Sequence, residues 1–391
     1  MSEISLQNEV VHGRQAYTLA NGKLRISALR GGGHLADIHL LSDDPKLSIN
    51  PFYVPRYPTI EPYLYDPTRH AALYGEGAGA RLSAGYMGHL LCFPTFGPPE
   101  AAEIANDFTF HGEAVAVEWK PFKPAQLTAD SMTFFYGADL VKTQYRVERA
   151  ITLLANETVV YVEEWIENLA EFDRPFNRDQ HATFGPPFAM PGKNMLDMSA
   201  TQGMIDPTRT AGGALPADGD IMWPYAIGRD GVQVDLRPAQ STPESTTYYP
   251  VLLDPARAFS YFTMYNTNYP LLVGYLFPTV DNPWIIDWQE NQSSKGSPNN
   301  GQMIARGIEF GTSPWDEGLR KSVERETLSG AQTYQWIGGR QRLKTTFTIF
   351  LTEIPLGFQG VQDVQTEPGQ IVITERETGR VLSIASAQQA K

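Results

Sequence analysis

Residues 143–153 read Thr143-Gln144-Tyr145-Arg146-Val147-Glu148-Arg149-Ala150-Ile151-Thr152-Leu153 and alternate between apolar and polar side chains. Successive Cβ atoms of a strand point to opposite faces, so a period of two predicts a half-buried strand. An Asn156-Glu157 turn follows, and Thr158 to Asn168 resumes the extended pattern. Two such runs joined by a short turn make an antiparallel hairpin.

The same pattern spreads in both directions. Upstream, Tyr17 to Ser27 forms a hairpin about Asn21-Gly22, a pair that supplies the positive φ angles of a tight turn. Gly31-Gly32-Gly33 is a bend leading into a strand at His34 to Leu40, and Ala114 to Trp119 is expected to be another strand. The glycine triplet is no phosphate loop, because it lacks the Walker pattern and no helix follows it. Downstream, strands are expected at Ala258 to Tyr265, Leu271 to Phe277, Gln302 to Phe310 and Thr345 to Thr352. A last hairpin is expected between Gln370 and Ser383, about Thr378-Gly379. Helical candidates are short, such as 314–322. The expected class is all-β, a sandwich or barrel of many short strands.

The chain has 391 residues with 34 glycines and 29 prolines, a composition rich in turns. Seven Trp, 18 Tyr and 19 Phe suit sheet cores and pockets that stack flat apolar faces. With no internal repeat or linker, one continuous β domain over 1–391 is expected. An irregular insertion at about 43–88 lies over it, and the C-terminal hairpin occupies about 365–385. A stretch that long without a period is usually functional or an insertion.

The net charge is −13 with charges interspersed, which argues against nucleic acid and anionic membranes as partners. Cys92 is the only cysteine, so neither an intrachain disulfide nor a cysteine zinc cage is available. Met1-Ser2-Glu3-Ile4-Ser5 has no basic or apolar leader character, and no apolar run reaches membrane-spanning length. A soluble, cytoplasmic protein is expected, although a single cysteine suits a periplasm equally. The sequence sets no oligomeric state.

Three polar residues stand out along this β-rich chain: His111, His181 and Glu309. Two imidazoles and a carboxylate can move protons on a neutral substrate near pH 7 without a cofactor. Met303, Ala305, Gly307 and Glu309 share one strand face, and their small side chains leave the carboxylate approachable. The alternative for Glu309 is a surface glutamate on a half-solvated strand. His181 is placed at a strand end before Gly185-Pro186-Pro187, where it serves either a site or the packing of the turn. His111 suits a substrate contact or a structural hydrogen bond across strands equally. Two His and a Glu are also metal-ligand types, but no His-x-His or His-x-x-x-His pair supports a metal site. Trp288, Phe96, Phe93 and Trp315 offer apolar faces, or simply core.

At these motifs the chain resembles the galactose mutarotase-like superfamily, the aldose 1-epimerases and their relatives. Leu91-Cys92-Phe93-Pro94-Thr95-Phe96-Gly97, then His111-Gly112 and Trp119, is similar to a segment of the hexose-6-phosphate epimerase branch. His181-Ala182-Thr183-Phe184 is similar to the stretch bearing the family's catalytic histidine. Glu309, after the Ile285-Ile286-Asp287-Trp288 strand, matches the position of its catalytic glutamate. The resemblance covers roughly 15–352 and implies a β-supersandwich with a sugar cleft on one sheet face.

It further implies that Glu309 removes the proton of the anomeric hydroxyl, that His181 protonates the ring oxygen, and that His111 orients a small-molecule carbohydrate. No metal or other cofactor is expected. Where the phosphate-binding branch carries arginines, this chain reads Tyr86-Met87-Gly88-His89 and Glu113-Ala114-Val115-Ala116, so a sugar phosphate is not expected. His89 is a candidate replacement contact, and Asp287 is a positional candidate for the hydroxyl-binding aspartate. A non-catalytic sugar-binding protein on the same fold, or a lyase or different epimerisation, stays open as an alternative.

Overall fold

A computed structural model of the chain describes residues 4–216 and 218–387. Two antiparallel sheets pack face to face. The larger has 13 strands and runs from Ser5–Val11 through Arg14–Ala20, Leu24–Leu29 and Leu35–Leu40 to a central group. That central group is His89–Cys92, Asp179–Phe184, Ile304–Gly311, Trp284–Asn291 and Ser245–Leu253, in this spatial order. Neighbours in space are therefore far apart in sequence. The second sheet has nine strands and contains the opening hairpin as Tyr145–Leu154 and Val159–Asn168, with Val160 opposite Leu153.

Alternation decides what is buried between the sheets. Ala182, Phe184, Ile285, Ile308 and Phe310 of the large sheet join Val147, Ile151, Val160, Val162, Val273 and Ile349 in one apolar core. The alternate residues of the large sheet's central strands point away from this core, and that outer face carries the site. Alternate residues of the nine-stranded sheet, including Leu272, Leu276 and Phe350, meet a second apolar cluster. It is supplied by a three-stranded sheet, Val361–Glu367, Gln370–Glu375 and Val381–Ala385. The expected C-terminal hairpin is thus present, with one more strand before it.

Two expectations change. Ala114 to Trp119 is not a strand; Ala114–Ala116 is a single 3-10 turn. The chain enters it through His111 and Gly112, both at positive φ, and it is tied to its neighbours by an isolated Gly31–Glu118 bridge and by backbone bonds from Trp119 N–H to Arg30, Gly32 N–H to Val117 and Ala114 N–H to Phe93. Its buried backbone groups are paired with the glycine bend and with Phe93 rather than with a strand ladder. The glycine bend that receives it is required sterically: Gly33 sits at φ 64°, and a Cβ there would lie 2.4 Å from the Trp119 ring.

The stretch 43–88 is more ordered than its composition suggested. It holds a 3-10 turn at Pro62–Leu64 and helices at Pro67–Tyr74 and Ala80–Gly85. Asp66 caps the first helix by accepting from the Thr68 N–H, with Pro67 at the first helical position. This segment crosses the outer face of the large sheet and walls the site. Among the described residues no helix is long and apolar enough to cross a membrane.

Candidate active site

The register of the central strands places His181 directly opposite Glu309, and Thr183 opposite Gly307. Glu309 in turn faces Ile286, and Gly307 faces Trp288, on the next strand. His181, Glu309 and Trp288 therefore project from three adjacent strands onto one face. They line a cavity of about 540 Å³ together with His111, Tyr86 and Tyr248.

His181 Nε2 and Glu309 Oε1 are 3.2 Å apart. On the other side of the imidazole, Nδ1 lies 3.0 Å from the Thr183 hydroxyl, which lies 2.7 Å from the Tyr86 hydroxyl. A line of hydroxyls thus fixes the ring and leaves Nε2 for the carboxylate. Glu309 Oε2 is buried and has no hydrogen-bond partner within the protein, although its residue lines the cavity. A buried polar atom without a protein partner is costly. Packing holds the pair tightly: the Trp288 and Tyr86 rings meet the His181 ring edge-on at 5.7 and 5.9 Å.

His111 closes one side. Its Nδ1 accepts from the Gly97 N–H at 3.1 Å, which assigns the proton to Nε2. Its ring stacks on Phe96 at 5.0 Å and stands 5.5 Å from the His181 ring.

Burial governs the protonation chemistry. It lowers His181 to about 3 and pushes Glu309 well above the usual carboxylate range, with the charges of Asp316 and Asp179 adding to the latter. His111 is lowered well below its usual value, first by burial and then by His181 and Arg209. Asp316 is raised to about 7 by burial, against the pull of Arg209. Every one of these shifts favours the uncharged form, as desolvation requires.

Four of the seven residues proposed from the sequence meet at this cavity: His111, His181, Trp288 and Glu309. Three do not line it. Phe96 is fully buried beneath His111, one layer back. His89 opposes Ala182, a core-facing residue, so its ring lies between the sheets, bonded to Gln180 at 2.9 Å and packed on Tyr275 and Phe347. Asp287 also faces inward. Its carboxylate receives Arg306 at 2.6 Å, the Tyr249 hydroxyl at 2.5 Å and the Gln289 amide at 3.1 Å, an internal ion pair rather than an open contact. Both departures have one cause: strand register puts Asp287 and His89 on the opposite parity from His181 and Glu309.

Other cavity residues escaped the sequence. Arg209 reaches in from a loop and pairs with Asp206 at 2.8 Å and Asp316 at 2.5 Å, its guanidinium lying over Tyr248. Nothing in a loop's local sequence marks such an ion pair. Tyr86 and Thr183 stood inside quoted motifs, and only their 2.7 Å contact reveals their link to the histidine. Among the described residues, no group of three or more His, Cys, Asp or Glu side chains is placed to hold a metal ion.

No family model and no curated protein matches the sequence. Solved structures do match in shape. A candidate aldose 1-epimerase of Klebsiella pneumoniae aligns over 90% of this chain and 85% of its own, with a TM-score of 0.61 and 12% identity. A candidate mutarotase of Salmonella typhimurium aligns over 90% of this chain and 96% of its own, with a TM-score of 0.55 and 10% identity. A galactose mutarotase-like protein of Clostridium acetobutylicum aligns over 90% and 99%, with a TM-score of 0.55 and 10% identity. With its paired sheets and a cavity on the outer face of the larger one, this chain has the galactose mutarotase-like fold.

Proposed function

We propose that the protein is a cofactor-independent aldose 1-epimerase-like enzyme that interconverts the anomers of a free or modified, non-phosphorylated sugar. The observation that carries this reading is the 3.2 Å separation of His181 Nε2 and Glu309 Oε1 at the wall of one cavity. Anomer exchange moves two protons at oxygens borne by the same carbon, the anomeric hydroxyl and the ring oxygen. An acid and a base serving both must stand side by side, as these do.

In the ring-opening direction, Glu309 as carboxylate takes the proton of the anomeric hydroxyl. That oxygen's electron pair forms the carbonyl, the bond from the anomeric carbon to the ring oxygen breaks, and His181 as imidazolium protonates the departing ring oxygen. Rotation about the C1–C2 bond presents the other carbonyl face, and the reverse transfers close the ring. The pair passes from ion pair to neutral pair with its proton count unchanged. Burial makes the neutral pair the resting form, so the ion pair is the minor, reactive one; in it a carboxylate whose pKa is raised is a stronger base, and an imidazolium whose pKa is lowered is a stronger acid. The Arg209 of the cavity is already paired with Asp206 and Asp316, which supports a substrate without phosphate.

Saturation-exchange NMR on a panel of aldoses tests the reading. Exchange above the spontaneous rate is expected for the wild type, with Glu309→Gln lower by about 10²–10⁴-fold, the usual worth of a positioned proton-transfer group. Equal exchange by wild type and variant on every sugar that binds would sink the proposal.

A further inference from the structure

The site is larger than one sugar ring needs. Its cavity of about 540 Å³ equals roughly 18 liquid waters at about 30 Å³ each, whereas a hexose has only about twelve heavy atoms. A second cavity of about 410 Å³ adjoins it, and the two share Tyr57, Asn299 and Met303 as common wall. Glu309 and Met303 are six residues apart on nearly extended backbone. At about 3.3 Å per residue Met303 lies roughly 20 Å along the strand from Glu309, and across the face it packs with Trp288 and Tyr86, whose rings stand 5.7 and 5.9 Å from that of His181, so the second cavity opens next to the reacting pair.

The two cavities differ in character. Carboxylates line the first, and none lines the second. The second presents Tyr53 and Tyr57 with the amides of Asn299, Asn300 and Gln302, and with the exposed guanidinium of Arg56. Flat apolar faces beside amide donors and acceptors, with one guanidinium as a further donor, are the complement of a polyhydroxy ligand.

We propose that the substrate is a reducing oligosaccharide. This rests on the epimerase reading of the His181–Glu309 pair. The sugar at that pair must carry a free anomeric hydroxyl, so it is the reducing-end residue. Further units attach through its other oxygens and extend past Met303 into the second cavity.

Two homologous series test this: glucose, cellobiose and cellotriose, and glucose, maltose and maltotriose. Anomer exchange by NMR and binding by calorimetry are measured with the wild type, Gln302→Trp and Asn300→Trp, the added indole filling the second cavity. In at least one series kcat/KM is expected to rise tenfold or more from the monosaccharide to the longer sugars. Either variant is expected to bring that ratio back toward one. Equal kcat/KM at every length, unmoved by the variants, overturns the oligosaccharide proposal and leaves the epimerase reading standing. Binding that tightens tenfold with length, without catalysed exchange of any sugar, supports the extended cleft and overturns the epimerase reading. No binding and no exchange in either series overturns both.

Discussion

His181 and Glu309 are directly opposed residues of adjacent antiparallel strands, and their side chains touch across the register at 3.2 Å. Opposed residues of a ladder are held at fixed spacing by the backbone, so the geometry of this pair depends on sheet pairing rather than on a mobile loop. The consequence is a pair that titrates as a unit.

In the proposed mechanism the active form holds one proton between the two groups. Gaining a second requires charging His181, whose value is depressed to about 3, and losing the proton requires ionising Glu309, whose value is raised. The kcat/KM profile is therefore expected to be bell-shaped, its acid limb near pH 3 and its alkaline limb well above the ordinary carboxylate range. Measurement of anomer exchange against pH checks this. An acid limb at the unperturbed imidazole value near 6.5 would contradict the assignment.

Gly307 is the spacer of the site. A Cβ there would lie 2.9 Å from the Trp288 ring and 3.1 Å from His181 Cε1. Gly307→Ala is expected to displace the histidine and lower kcat about tenfold or more, since small misplacements of reacting groups are costly. The strand itself should survive, because the backbone there is ordinary extended chain. Kinetics together with thermal melting separate the two effects; unchanged kcat with a large loss of stability would refute the spacer role.

Asp287 serves the fold. Its carboxylate and Arg306 are almost wholly buried and share a cluster with Tyr249. Asp287→Ala leaves the guanidinium in the core without its counter-charge and is expected to cost about 3–5 kcal/mol. Denaturant unfolding measures the loss. The folded fraction should keep the wild-type KM within a factor of about three, a change of roughly 0.65 kcal/mol or less. A KM increase of a hundredfold would instead make Asp287 a substrate contact.

Asp179 is fully buried two residues before His181, and burial raises it to about 8. Its unfolded value is near 3.8, so between these limits the folded protein binds more protons than the unfolded chain. Stability from this group is present below pH 3.8 and is lost as pH rises through about 8. Asp316, raised to about 7, acts in the same direction. Asp179→Asn can still accept from the Ser313 N–H, as Oδ1 does now at 3.1 Å. The variant is expected to lose less stability than wild type between pH 5 and pH 8.5. Parallel melting curves at the two pH values decide the matter, and identical slopes would exclude Asp179 as a contributor.

Much of the molecule is written locally. Period-two alternation in 143–153 and 158–168 produced the hairpin that stands in the second sheet. Parity alone grouped Met303, Ala305, Gly307 and Glu309 on one face, and apolar partners at 308 and 310 turn that face outward. Alternation is a property of a strand by itself, so a single sequence can reveal it. Ala114 to Trp119 shows the limit, since a buried apolar run becomes a strand only where another strand lies beside it.

What the tertiary structure alone decided is which faces and which segments meet. Asp287 and His89 carry side chains as suitable as those of Glu309 and His181. Register with neighbours far away in the chain sends the first two into the core and the second two into the cavity. The stretch 43–88 became a wall of the site, and Arg209 and Asp316 arrived from separate loops, because long-range contacts determine what lies over the large sheet. Sequence determined the strands through periodicity and singled out His181 and Glu309 as candidates through side-chain chemistry and family resemblance. The fold determined their partnership, since pairing across a sheet depends on residues that no local stretch contains.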